Sequence, residues 1–474
     1  MQKPDMLKAK IRNKEAVKIL TDEYKVPKDM KTIGVNKKYY IETYGCQMNV
    51  HDSEKISAIL EDMSFTKTSH KEDADLIILN TCAIRENVHN KVFGMLGTLK
   101  KLKAANPNLL LGLGGCMAQE EVVIEKILAK YHWVDFVFGT HNLHTLPQVL
   151  AKAIVQSNIE IDVWTKEGDI IENVPVKRDN PYKAWVNIMY GCDKFCTYCI
   201  VPYVRGKQRS RRPADIINEV KDLIAKGYKE VTLLGQNVNA YGKDFTNRTY
   251  NMEHLLKDIS KLPIERLRFV TSHPWDFTDG MIKVIKDNSN IMSYIHLPIQ
   301  SGSNKILKLM GRRYTKESYI ELFNKLKENI PNVAISTDII VGFPGETEAD
   351  FNETLDLYNQ LKFDFAYTFI FSPRAGTPAA KLKDDTPLEV KNERLQRLNE
   401  LVSKYALMSN QQYLNKIIKV LIDGKDSKNK KLLAGYTETN KLVNIVGDDK
   451  YLGQIVNVRI TDAKTWNLYG EIVD

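Results

Sequence analysis

The chain has 474 residues, 43% hydrophobic and 27% charged, with a formal net charge of +9 and six cysteines. Its length suggests about three domains of roughly 150 residues, its composition is that of a globular chain with a full core, and no apolar run approaches the ~18 residues that span a bilayer. The opening MQKPDMLKAKIRNKEAVKIL is charged throughout and has no apolar centre of the kind a secretory signal carries, so the chain reads as cytoplasmic, with cysteines serving metal or redox chemistry rather than disulfides. The positive charge permits an anionic partner such as nucleic acid without requiring one.

Residues 1–36 are Lys-rich and weakly periodic, which predicts a solvated, partly disordered basic extension. From Lys37 the pattern turns β/α. KKYYIETYGC predicts a strand ending at Cys46, ADLIILNTC one ending at Cys82 and LLLGLGGC one ending at Cys116, each followed by a helical stretch. The spacings of 36 and 34 residues are each one βα unit. A fourth strand falls on WVDFVFG, with a helix through LPQVLAKAIV. Residues 37–165 therefore predict an open α/β sheet domain. In such sheets the carboxyl ends of the strands line the ligand crevice.

After the polar stretch TKEGDIIENVPVKRDNPYK the alternation resumes six times, through AWVNIMYGC, EVTLLGQNV, RLRFVTSHP, SYIHLPIQSGS, VAISTDIIVGFPGE and FAYTFIFSP. Six βα units with right-handed crossovers predict a partial (β/α)6 barrel over 178–410. A long helix over about 388–414 leads into residues 411–474, where period-two alternation predicts a small β-barrel of OB-like size. The fold class is thus α/β, with an all-β domain at the C-terminus.

Half of the cysteines lie in YGCDKFCTYCIVPYVRG, as Cys192, Cys196 and Cys199 in a C-x3-C-x2-C array ending the first barrel strand. Structural zinc wants four ligands in a closed tetrahedron, and no fourth Cys or His follows at zinc-knuckle distance. Three thiolates suit a 4Fe-4S cubane with one iron left without a protein ligand. Cys46, Cys82 and Cys116 are either buried structural cysteines of a parallel sheet or a second such triplet. Their place at three strand ends, beside small or turn-forming residues, favours the triplet.

The C-x3-C-x-aromatic-C array, with Tyr198 as the aromatic, resembles that of the radical S-adenosylmethionine enzymes. The stretches IETYGCQMNVHDSE, LNTCAIRENV, GGCMAQ and GCDKFCTYCIVPYVRG together resemble the methylthiotransferases within that group, from about Lys37 to the C-terminus. GYTETNKLVNIVG and GQIVNVRITDA resemble a TRAM domain. TYGCQMN is most similar to the branch that adds a methylthio group to carbon 2 of isopentenylated adenosine beside the tRNA anticodon. The ribosomal-protein and threonylcarbamoyladenosine branches, which tend to show GCPKN-like and GCKVN-like stretches, and a non-catalytic Fe-S protein that binds RNA are the alternatives.

The resemblance implies two 4Fe-4S clusters, on Cys46, Cys82 and Cys116 and on Cys192, Cys196 and Cys199, with S-adenosylmethionine cleaved to a 5′-deoxyadenosyl radical that takes the hydrogen from carbon 2. It implies cofactor contacts at Tyr198, at Gly235, Gln236 and Asn237, at Ser272, at Gln300 and Ser301, and at Gly342 in DIIVGFPGE. LLGQNV departs from the family's Gly-Gly-Glu pattern, so it marks a location more than a set of residues. The implied partners are the tRNA anticodon stem-loop, an electron donor such as flavodoxin or ferredoxin, and a sulfur or Fe-S carrier. No membrane is implied, and the chain is expected to be a monomer. Arg205, Lys207, Arg209, Arg211 and Arg212 form either a phosphate track or a solvated loop. Lys441, Arg459 and Trp466 are candidate RNA contacts of the small barrel, and the aromatics of FDFAYTFIFSPRAG are either core or an isopentenyl subsite.

Overall fold

The computed structural model describes residues 2–10, 19–84, 86–156, 158–167 and 170–473. The chain forms two compact units: the first comprises Met1–Asp179, Met189–Arg211 and Ser372–Ala380, the second Asn180–Ile188, Arg212–Phe371 and Lys381–Asp474. The sequence boundaries group the loop 189–211 with the barrel strands, whereas the compact units group it with the parallel sheet.

The first unit is built on a six-stranded parallel sheet in the order Thr66–Lys67, Lys38–Thr43, Leu76–Thr81, Leu110–Gly115, Phe136–Phe138, Glu160–Asp162. Every residue of Leu76–Thr81 is buried, as expected of a parallel strand covered on both faces. Ile77 and Leu79 point into one core with Leu96, Leu99 and Ile124 from the helices Glu86–Ala105 and Glu121–Lys130. Leu76 and Ile78 point into the other, with Ile56, Ile59 and Leu150 from the helices Gln47–Asp62 and Leu146–Val155. The alternation of one strand thus assigns the helices to their faces. The two outer strands escape the sequence pattern because two or three residues are too few for a period to show.

Over its described residues the extension is partly docked rather than free, although Gln2, Lys3 and Lys8 stay exposed. Gln2 bridges the sheet edge, its N–H donating to Ile161 O at 2.7 Å while its carbonyl accepts from Val163 N at 2.9 Å. Ile19–Glu23 pairs in parallel with Ile170–Asn173, and Val26 is buried in the second core. Ala9 and Val26 are buried while Leu20 and Val35 stay exposed, and open strand edges supply hydrogen-bond partners. Residues 11–18 lie outside the described residues.

In the second unit six parallel strands follow one another in chain order: Lys183–Asn187, Glu230–Leu234 and Arg266–Phe269 form one three-stranded sheet, Tyr294–His296, Ala334–Val341 and Phe365–Ile370 another. A parallel bridge between Leu267 and Ile291 joins the two into an arc. Among the described residues no ladder closes it. The first predicted strand ends at Asn187; Met189–Tyr190 forms a separate antiparallel ladder with Arg209–Ser210. The helix Leu388–Gln411 leads to a closed five-stranded barrel of Ile417–Lys425, Leu432–Thr437, Leu442–Val446, Leu468–Ile472 and Ile455–Ala463. Val420, Ile422, Val443, Ile445, Val458 and Ile460 fill it. Arg266 and Arg268 reach from their strand to its backbone, donating to Tyr436 O at 2.7 Å and to Thr437 O at 2.6 Å. Among the described residues no helix is long and apolar enough to cross a membrane.

Candidate active site

Sheet register brings the first three cysteines together. Thr81 pairs with Gly115 and Thr43 with Asn80, so the residues after these three strands emerge side by side. Cys82 follows its strand directly, Cys116 opens a single turn of 3-10 helix, and Cys46 is the N-cap of Gln47–Asp62. Gly115 holds φ at +91°, and a Cβ there would lie 2.4 Å from Thr81 O, so the turn that brings Cys116 beside Cys82 requires glycine.

Asn49, fully buried one turn into the helix, gathers the group. Its Oδ1 stands 3.6 Å from Cys46 Sγ and 4.0 Å from Cys116 Sγ, while its amide donates to Thr81 O at 2.8 Å. The neighbouring Cys82 thiol and the Arg205 charge draw the Cys46 thiol down, while the Cys46 thiol and burial drive Cys82 up. Burial pushes Cys116 up to about 11 against the pull of Arg205. Three convergent soft donors fit an iron-sulfur cluster that lacks a fourth protein ligand. Among the described residues no three His, Cys, Asp or Glu side chains are set to hold one metal ion. A cubane spreads its thiolates over separate irons and asks for a wider arrangement.

The second triplet sits in a loop of the same unit. The ladder of Met189–Tyr190 with Arg209–Ser210 closes its base, and Cys192 N–H donates to Gly206 O at 3.2 Å. Cys199 N–H donates to Cys196 O at 3.0 Å. Cys196 is buried, while Cys192, Tyr198 and Cys199 are partly exposed. Burial pushes the Cys192 thiol up to about 11, with Cys196 close enough to add to it. Phe195, at φ +48°, turns the chain inside the loop. Ile200 and Val204, just past the last cysteine, pack with Ala83 and Cys116 in one apolar cluster. Both triplets are therefore anchored in one compact unit.

Three of the five cations in the basic run past this loop are turned inward rather than laid out as a phosphate track or a solvated loop. Arg205, Arg209 and Arg211 are buried, and Arg205 and Arg211 are ion-paired to Asp52 and Glu172, each at 2.6 Å. Arg209 lies over the Tyr190 ring. Arg212 is exposed but clasps Asp215 with two bonds of 2.6 and 2.8 Å, and Lys207 is half-buried. The carboxylate partners of Arg205 and Arg211 lie tens of residues away in sequence, which a local charge pattern does not reveal.

In the second unit the predicted cofactor positions stand at strand ends. Gly235, Gln236 and Asn237 follow Glu230–Leu234. Asn237 donates to Asp276 Oδ2 at 2.7 Å, yet Gln236 Oε1, Asn237 Oδ1, both amide atoms of Asn239 and Ser272 Oγ are buried without a hydrogen-bond partner. Buried polar atoms left open in a native fold ask for a ligand, and this set fits an amino-acid-bearing cofactor such as S-adenosylmethionine. Thr271 and Gln300 both hold positive φ, +69° and +76°, a conformation that clusters at functional sites. Gln300 N–H donates to Asp338 O at 2.8 Å, and the next residue, Ser301, is fully buried. Gly342 N–H donates to Glu346 Oε2 at 2.6 Å, and Arg394 holds that carboxylate at 3.0 Å. Asp276, Glu346 and Arg394 were not foreseen; nor were Asn49 and Asp52, three residues apart within the TYGCQMNVHDSE stretch and so on one face of a helix.

On the small barrel, Trp466 is exposed and meets Phe365 edge-on at 5.7 Å. Arg459 is exposed with only a loose partner, Glu471 at 3.7 Å. Lys441 is instead tied down, donating to Ser409 Oγ at 2.9 Å. Of the aromatics near the last barrel strand, Phe363 and Phe371 are core and Tyr367 is exposed.

Three family descriptions match the chain: Radical SAM superfamily over residues 186–358, Uncharacterized protein family UPF0004 over 38–139, and TRAM domain over 411–473. The tRNA-2-methylthio-N(6)-dimethylallyladenosine synthase of Geobacillus kaustophilus is 56% identical over 471 residues, covering 99% of this chain and 88% of that protein. The protein of that name from Bacillus cytotoxicus is 57% identical over 473 residues, covering 100% and 93%. Among solved structures, the radical S-adenosylmethionine methyltransferase TsrM from Kitasatospora setae shares the fold with a TM-score of 0.52 at 14% identity, over 73% of this chain and 75% of that one.

Proposed function

The chain belongs to the family of tRNA-2-methylthio-N(6)-dimethylallyladenosine synthases, and we infer from that membership that it transfers a methylthio group to carbon 2 of N(6)-isopentenyladenosine next to the anticodon of tRNA. The observation that carries the reading is the anchoring of two cysteine triplets in one compact unit. When bound, 4Fe-4S clusters and S-adenosylmethionine supply the radical, the sulfur and the methyl group. The protein's own residues hold, orient and shield them.

Cys46, Cys82 and Cys116 would hold one cluster, and Cys192, Cys196 and Cys199 the other. Gly235, Gln236, Asn237, Ser272, Gln300 and Gly342 would hold S-adenosylmethionine, the unpartnered polar atoms among them supplying hydrogen bonds that the protein leaves open. The burial of Cys82, Cys116, Asn49 and Arg205 keeps water from the first triplet. Exposed Trp466 and Arg459 suit stacking and phosphate contact with tRNA. An electron donor such as flavodoxin or ferredoxin and a sulfur or Fe-S carrier complete the reading, with the enzyme a cytoplasmic monomer.

The test is to count iron and acid-labile sulfide in anaerobically reconstituted wild-type protein and in two triple-alanine variants, and to analyse tRNA nucleosides from a strain that depends on each. Each triple variant should lose about half the iron and all of the methylthio nucleoside. Full iron with one triplet absent would contradict the two-cluster reading.

A further inference from the structure

One side chain joins the two cysteine-bearing regions of the first unit. Arg205 lies six residues past Cys199, at the C-cap of the short helix Val201–Val204, its N–H donating to Val201 O at 2.9 Å. Its side chain runs to the other triplet: Nε–H donates to Cys116 Sγ at 3.0 Å, and Nη2 donates to Asn49 Oδ1 at 3.3 Å and Asp52 Oδ2 at 2.6 Å. Arg205, Asp52, Cys116 and Asn49 are all buried. A guanidinium is costly to bury unless each face of its fork is satisfied. Here one of its bonds ends on sulfur rather than on a carboxylate, although Asp52 alone offers two oxygens. That arrangement is poorly explained as packing.

We propose that Arg205 is a positioning residue for the cluster held by Cys46, Cys82 and Cys116: its N–H bond to the Cys116 sulfur and its buried charge raise that cluster's reduction potential, while Asp52 orients the guanidinium and offsets part of the effect. A cluster's potential responds to hydrogen bonds on its sulfurs and to the net charge around it. Reduction adds one electron and so one negative charge. A cation with an N–H on the ligand sulfur stabilises the reduced form more than the oxidised one. The same side chain grows from the loop of the second triplet, so it also fixes that loop's exit against the first triplet's strand ends. The inference rests on the reading that Cys46, Cys82 and Cys116 hold a cluster.

The experiment uses full-length protein in which Cys192, Cys196 and Cys199 are all alanine, so that one triplet can load. After anaerobic reconstitution, iron and sulfide are counted, and the cluster is titrated with dithionite and mediators while its electron paramagnetic resonance is followed. Arg205→Gln in this background should move the midpoint to lower potential and alter the spectrum of the reduced cluster. Arg205→Lys, which keeps the charge but not the fork, should recover part of the shift. Asp52→Asn, which removes the opposing charge, should move the midpoint the other way. Opposite signs from the two partners of one ion pair are not what loss of packing gives. If Arg205→Gln fails to load iron, Arg205→Lys and Asp52→Asn decide. A parent that holds no cluster overturns the cluster reading and this inference with it. A loaded parent whose midpoint is the same in Arg205→Lys and Asp52→Asn overturns the inference alone.

Discussion

Arg394, on the helix Leu388–Gln411, places Nη1 3.0 Å from Glu346 Oε2, and the two side chains are 5% and 1% exposed. The same carboxylate accepts the Gly342 N–H at 2.6 Å. It thereby braces the loop after Ala334–Val341 from the long helix, within one unit. A Cβ on Gly342, whose φ is +69°, would lie 2.5 Å from Lys391 of that helix, so the loop and helix are fitted to one another.

Burial pushes the Glu346 carboxyl up to about 7 from 4.5, although Gly342 N–H and Arg394 both favour its charged form. The unfolded chain releases this proton first as pH rises, so the folded state is progressively disfavoured between about 4.5 and about 7. The difference in unfolding free energy between wild type and Glu346→Gln should fall across that window and level above it. Denaturant titrations at a series of pH values check this. A difference flat from pH 4.5 to 7 would show that the carboxylate is ionised throughout the window.

Ser272 Oγ is buried and without a hydrogen-bond partner. Removing it deprives the protein of no bond, so Ser272→Ala should leave thermal stability unchanged or slightly raised. If the hydroxyl serves S-adenosylmethionine, the same variant should bind it ~2- to 12-fold more weakly, the worth of one hydrogen bond. Thermal melting checks the first expectation, and titration calorimetry of S-adenosylmethionine with the reconstituted protein checks the second.

Arg268 donates to Thr437 O at 2.6 Å and Glu438 O at 3.0 Å and stands 2.9 Å from Glu230. Arg268→Ala breaks a buried ion pair and frees two carbonyls. It should lower stability by ~3–5 kcal/mol in urea unfolding. Arg268→Met, which keeps the bulk of the side chain, should cost less than Arg268→Ala.

Trp466 and Lys441 should behave differently, although sequence proposed both as RNA contacts. Trp466 is exposed, and loss of one stacked base at ~1–3 kcal/mol predicts ~5- to 150-fold weaker tRNA binding for Trp466→Ala. Lys441 is held by Ser409 and by Asp364 O at 3.3 Å, so Lys441→Ala should lower stability and leave tRNA affinity near wild type. Filter binding and melting of both variants separate the two roles.

Much of this is legible in the sequence. Strand-ending cysteines show in sequence because a buried parallel strand is an apolar run with a sharp end, and Cys82 and Cys116 follow directly on Leu76–Thr81 and Leu110–Gly115. The six barrel strands show for the same reason. What stayed hidden was long-range pairing. Arg205 and Arg211 look like surface cations until Asp52 and Glu172 arrive from elsewhere in the chain. The extension looks disordered because the bridge through Gln2 and the strand Ile19–Glu23 depend on edges that 160–173 supplies. Glu346 and Arg394 are 48 residues apart and carry no motif.

The most direct test is made without oxygen. Protein reconstituted with iron and sulfide is incubated with S-adenosylmethionine, a low-potential reductant and isopentenylated tRNA, and the digested nucleosides are weighed by mass spectrometry. The account predicts 2-methylthio-N(6)-isopentenyladenosine from wild type and none from Cys46→Ala or Cys192→Ala. An unmodified nucleoside from wild-type protein with both triplets loaded would contradict it.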